Sequence, residues 1–180
     1  MTKAKAPNKP IFEEVPDELD ETWTHGILVG GMASESDDVS LARQYGDAAA
    51  FLVKDALEDG EPWSLSYPIL FLYRHSIELY LKTIIARLTP PGCWSTHDLK
   101  YLLSRFEKLV SEHYGKSIPS WVKQDILGFA QLDNKSEGFR YTRSTKNVQT
   151  MLPGEYWVEL RHLKSRMEVI SRGLEEILYR

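Results

Sequence analysis

"YPILFLYRHSIELYLKTIIARL", Tyr67 to Leu88, decides the fold. Pro68 suits the first turn of a helix, where no backbone donor is needed, and Pro90-Pro91-Gly92 closes the run. Leu72, Tyr73, Ile77, Leu79, Tyr80, Leu81, Ile84 and Ile85 make the helix apolar nearly all round, the pattern of a segment enclosed by protein. Yet Arg74, His75, Glu78 and Lys82 run through its middle. At about 100° per residue, Arg74, Glu78 and Lys82 fall within about 80° of one another, with His75 just beyond. Such a stripe has two readings. It is an exposed edge held by i, i+4 ion pairs, or it faces an interior cleft where partners compensate each buried charge.

Helical signals flank this segment on both sides. "SESDDVSLARQYGDAAAFLVKDALEDG" offers Ser36 or Asp37 as an N-cap, apolar positions at Val39, Leu41, Tyr45, Ala49, Leu52, Val53, Ala56 and Leu57, and Gly60 as a stop. "STHDLKYLLSRFEKLVSEHYG" has Ser95 or Thr96 at the cap, a helically spaced set from Leu99 to Val110, and Gly115 past the end. A shorter helix, weakened by Gly128, is predicted from Pro119 to about Leu132. Residues 133–152 are polar and irregular, with a short extended piece at "FRYTRST". A last helix is predicted to start with Pro153 in its first turn and to carry Trp157, Leu160, Leu163, Met167, Ile170, Leu174, Ile177 and Leu178 on one side. Without a strand ladder, these elements predict an all-α chain, an antiparallel helical bundle of four to five helices over residues 23–180. Residues 1–22, with Pro7, Pro10, Pro16 and the acidic "EEVPDELDE", read as a mobile arm that a protein partner would have to order. "GILVGGMA" at 26–33 reads as an extended segment against the domain.

Composition narrows the class. Hydrophobic residues at 42% and charged residues at 27% are those of an ordinary globular protein. A net charge of -4 argues against coating nucleic acid through bulk charge, though not against a local basic patch. Cys93 is alone, so no intrachain disulfide forms and no Cys-based metal site is visible; a reducing cytoplasm is the expected home. The N-terminus lacks the apolar stretch of a signal peptide, and charges interrupt the Tyr67–Leu88 run, so no membrane span is expected. Nor is a cofactor or a metal, since no phosphate-binding loop appears and the five histidines show no ligand spacing.

Two further polar clusters stand out. "STHDL" places His97 and Asp98 at a helix start, where a carboxylate suits the dipole and capping accounts for Asp98; a histidine there binds an anion when protonated or moves a proton. "DNKSEGFRYTRSTK" interleaves Glu137, Arg140, Tyr141, Arg143 and Lys146, a mixture of cations and aromatics that holds phosphate and stacks a base, or else is solvated loop charge.

Taken in order, "YPILFLYRHSIELYLKTII", "THDLKYLL" and "EGFRY" make residues 36–178 resemble bacterial HEPN-like proteins, small all-α domains of the higher eukaryotes and prokaryotes nucleotide-binding superfamily. The resemblance implies a homodimer that engages RNA or a nucleotide, in phage defence or a toxin–antitoxin pair. The ribonuclease members carry Arg-x(4–6)-His. The nearest approach here is Arg105 with His113, separated by about 12 Å of helical rise, so those roles are not carried over. What the resemblance implies instead is convergence of the three segments. His97, Arg74 and Arg140 would act in phosphodiester cleavage without a metal, with Lys82, Tyr141, Arg143 and Lys146 binding nucleic acid or an anion. Glu78, Asp98 and Glu137 would complete a polar network. The alternative is a noncatalytic interaction module in which the same groups lock the bundle.

Overall fold

Asp37 begins the first helix: its carboxylate accepts the Ser40 amide at 2.7 Å, satisfying one of the donors a helix start leaves free. Helix α1 then runs Asp38–Glu58. A computed structural model describes residues 37–58, 62–90, 95–141 and 154–179; the arm at 1–22, the segment at 26–33, Arg143 and Lys146 lie outside the described residues. A 3-10 turn at Pro62–Leu65 leads into α2, Ser66–Leu88, followed by α3, Leu99–Tyr114, α4, Ser120–Asp133, and α5, Leu160–Leu178. No strand occurs among the described residues, and these helices pack on one another as an all-α bundle. No described helix is long and apolar enough to cross a membrane.

The centre is α2, which buries Ile69, Tyr73, Ile77, Tyr80, Leu81, Ile84 and Ile85. Its most extensive neighbour is α1, and small residues explain why. The buried set Val39, Ala42, Ala49, Val53 and Ala56, with Gly46 between, follows a three-four spacing that lets the two backbones approach. At Gly46 an added Cβ would stand 3.2 Å from Ser76 Oγ, a hydroxyl already tied to the Ala42 carbonyl at 2.7 Å. Ala42 thus takes the place expected of Leu41, and Leu57 turns to solvent at 40% exposure. Tyr80 and Arg43 both donate to Glu175, and Arg87 donates to the Leu178 carbonyl, fastening α5 to α1 and α2.

Two predicted starts are corrected. Asp98 caps α3, accepting the Tyr101 amide at 2.9 Å, while Thr96 supports it by accepting the Asp98 amide at 3.1 Å. Helix α5 begins at Leu160 rather than near Pro153, because Glu159 is its cap, accepting the amides of Arg161 at 3.0 Å and His162 at 2.6 Å. Trp157 consequently precedes the helix and is 91% exposed instead of lying on its apolar side. Gly115 closes α3 in the left-handed conformation, φ 60°, as its place past the helix end predicts.

Candidate functional site

Arg74 and Glu78 have no exposed surface. A buried guanidinium persists only if its fork of donors is filled, and Arg74 fills it with backbone. Nε donates to the Asp133 carbonyl at 2.8 Å, Nη2 to the carbonyls of His97 at 2.7 Å and Asn134 at 3.0 Å, and Nη1 to Glu78 Oε2. One side chain of α2 therefore holds the segment ahead of α3 and the C-terminal end of α4. The Asp133 carboxylate, 3.8 Å from Nε, adds a second negative charge.

Glu78 joins the stripe to His97. While Oε2 receives Arg74, Oε1 accepts Lys82 Nζ and His97 Nδ1, each at 2.7 Å. Burial pushes the Glu78 carboxyl up, but the hydrogen bonds and charges of Lys82 and Arg74 outweigh it and hold the group below its ordinary value, as a carboxylate. An ionised carboxylate only accepts, so Nδ1 of His97 carries the proton and Nε2 points away from Glu78. The His97 side chain is 65% exposed, and its Nε2 has no partner among the described residues. The Lys82 ammonium gives one of its three donors to Glu78 and is partly exposed.

The segment after α4 is organised by Asp133. Its Oδ1 accepts the amides of Glu137 at 2.7 Å and Gly138 at 3.0 Å, and Oδ2 that of Phe139 at 3.4 Å. An aspartate accepting its own downstream amides builds a turn, and this one seats Phe139 in the core. Ser136, with φ 62°, takes the left-handed step that lets the chain reverse. Arg140 follows. It donates through Nε to the Ser136 carbonyl, and its guanidinium lies 5.8 Å from the Phe71 ring and 5.1 Å from that of Tyr141. Phe71 also stacks on His75, centroids 5.7 Å apart and planes 8° apart, and Tyr45 meets His75 edge-on at 4.5 Å. Burial lowers the His75 pKa; Arg74, Lys82 and His97 push the same way while Glu78 opposes them.

The expected groups are thus arranged in two adjoining sets. Arg74, Glu78, Lys82 and His97 meet directly, with Asp98 beside them as the α3 cap. Arg140 and Tyr141 gather on Phe71 of the same helix, and Arg140 bonds to Ser136 rather than to the Glu78 cluster. Glu137 enters through its backbone, as amide donor to Asp133 and carbonyl acceptor for the Arg140 and Tyr141 amides. Arg74, expected to meet a phosphate, is spent on the protein itself: fully buried, with bonds from all three guanidinium nitrogens already made. Sequence reading missed Asp133, Asn134 and Phe71. Only Asp133 had a signal, the Asp-Asn-Lys-Ser-Glu-Gly run typical of a side-chain-capped turn. Among the described residues no group of three or more His, Cys, Asp or Glu is placed to hold a metal ion. No family model, curated protein or solved structure matches this chain.

Proposed function

We propose that the chain is a HEPN-like protein that binds RNA or a nucleotide, with the phosphate taken by His97 and Lys82. One observation carries the reading: a buried carboxylate fixes the orientation of an exposed imidazole and holds an ammonium beside it, leaving the imidazole Nε2 and the remaining ammonium donors without partners among the described residues. His97 Nδ1 and Lys82 Nζ both stand 2.7 Å from one Glu78 oxygen, so they are no further apart than twice that distance, and an ammonium beside an imidazole that donates through Nε2 when protonated suits a phosphate. A carboxylate-held imidazole is also how proteins prepare an acid–base histidine, and Nε2 is the atom that would move a proton in phosphodiester cleavage. The resemblance to cytoplasmic defence and toxin–antitoxin proteins supports the same class of ligand.

A second reading, a noncatalytic interaction module, draws on Arg74. Its bonds are structural, and a network serving only to lock α2, α3 and α4 would look the same at that residue. The two readings part at His97, which is exposed and whose loss leaves Arg74 and Lys82 on Glu78. Binding and cleavage of short RNAs should be compared for the wild type, His97→Ala and Lys82→Met, with folding checked by thermal melts. Phosphate binding predicts weaker RNA affinity in both variants, and acid–base chemistry predicts loss of cleavage in His97→Ala. Equal RNA behaviour in all three proteins would leave the interaction module standing.

A further inference from the structure

We infer that the row Tyr45, His75, Phe71, Arg140, Tyr141 is a base-stacking platform, which takes an unpaired RNA base on Tyr141 while a phosphate further along the same strand lies at Lys82 and His97. The inference rests on the phosphate-binding reading and adds the part of the ligand that the first site leaves unaddressed.

Three observations carry it. The row is continuous: Tyr45 edge-on to His75, His75 parallel to Phe71, and the Arg140 guanidinium over both Phe71 and Tyr141. It ends in an exposed ring, since Tyr141 is 54% accessible, whereas Phe71 and His75 are half-buried. Finally, the row and the phosphate donors share one helix face. At about 100° per residue Phe71, His75, Glu78 and Lys82 fall within about 60°, and Lys82 lies about 10 Å along the axis from His75 and about 16 Å from Phe71, a span of more than one nucleotide. A strand laid along that face meets aromatic surface first and cations next.

The chemistry selects the ligand. Every base offers a π-face to an aromatic ring or a guanidinium, and every further nucleotide of the strand brings another phosphate. In a duplex those faces are covered by neighbouring pairs, so the platform favours single strands. It is also held in advance of binding. Asp133 fixes the turn through three amides, Ser136 holds Arg140, and Arg74 anchors the end of α4, so little ordering remains to be done when a base arrives.

The test uses the full chain and a short fluorescein-labelled oligoadenylate, the same backbone without bases, and the oligoadenylate paired with its complement. The wild type should prefer the single strand to both controls by about tenfold or more, the scale of one stacked base. Tyr141→Leu, which keeps bulk without the ring, should lose about tenfold on the single strand and nothing on the abasic probe, while Tyr141→Trp retains binding. Lys82→Met should weaken all probes alike. If Tyr141→Leu binds as the wild type does while Lys82→Met weakens binding, the platform is overturned and the phosphate site stands. If the wild type binds none of the probes, both are overturned.

Discussion

Arg74→Met tests whether one buried side chain organises the site. Methionine keeps much of the volume and removes every donor. Three carbonyls lose their arginine partner; those of His97 and Asp133 are orphaned, whereas that of Asn134 keeps the Leu99 amide at 3.0 Å. Breaking a fully buried ion pair costs about 3–5 kcal/mol when the surviving charge is left uncompensated; Glu78 keeps Lys82 and His97 on Oε1, so the low end of that range applies at most. Each orphaned carbonyl adds about 1–3 kcal/mol. The lower ends together come to roughly 5 kcal/mol, comparable to the whole stability of many domains. Urea denaturation should show that loss, and thermal melting a fall of roughly 10 °C or more. The exposed Lys54–Glu58 pair at 3.9 Å supplies a control: Lys54→Met should cost less than about 1 kcal/mol. Hydrogen exchange gives the local readout. The amides of Glu137, Gly138 and Leu99 should lose protection in Arg74→Met even under conditions where the helices remain formed. A stability loss below about 2 kcal/mol, or unchanged protection at those amides, would refute the claim that Arg74 joins three segments.

Asp133→Ala should free the turn while leaving α2 intact. Three amide hydrogen bonds to a carboxylate are lost, a cost of about 2–4 kcal/mol after some amides regain water, and Arg140 should lose its place over Phe71; wild-type stability in the variant would sink the assignment. His75→Phe should flatten the acid side of the stability profile. Burial lowers the His75 pKa, so between the folded and unfolded values the unfolded chain binds more protons. This contribution is complete above the ordinary imidazole value of 6.5 and fades as pH falls through it. Urea midpoints measured at descending pH should fall more steeply for the wild type than for His75→Phe, whose ring keeps the stack; parallel curves would contradict the assignment.

The helices were legible because their signals are local. Asp37, Gly115 and the recurring apolar residues of α1 act through neighbours within a turn or two, although the face packed on α2 includes Ala42 and Gly46, outside the apolar set read from the sequence. The start of α5 was misread for a related reason. Pro153 and Trp157 fit a helical pattern, but Glu159 accepts two amides and so fixes a later start, and Trp157 is left outside it. The polar stripe was legible as an angle and not as an environment. An apolar helix with four polar groups is compatible with an exposed edge or an interior cleft. What decides between them is a set of carbonyls at 97, 133 and 134, and a carbonyl belongs to every residue and leaves no mark in sequence. The partnership of Phe71 with His75 and Arg140 was hidden likewise, since it depends on where the turn after α4 returns.

Arg74 also sets a limit on how the site can be dissected. The same guanidinium positions the backbone at His97 and the turn that presents Arg140 and Tyr141, so its removal disturbs both halves together and cannot say which one meets a ligand. Glu78 is nearly as entangled, being counter-ion to Arg74 and orienting group for His97 at once. The exposed members are separable. His97, Lys82 and Tyr141 each contribute a terminal side-chain group, and none of these side chains supplies an acceptor that another segment needs, the His97 carbonyl that holds Arg74 being backbone. The interior of the network therefore answers to stability and its rim to affinity. Variants at Arg74 and Glu78 should follow the urea midpoint, and variants at the three rim residues should change RNA binding while melting within a few degrees of the wild type.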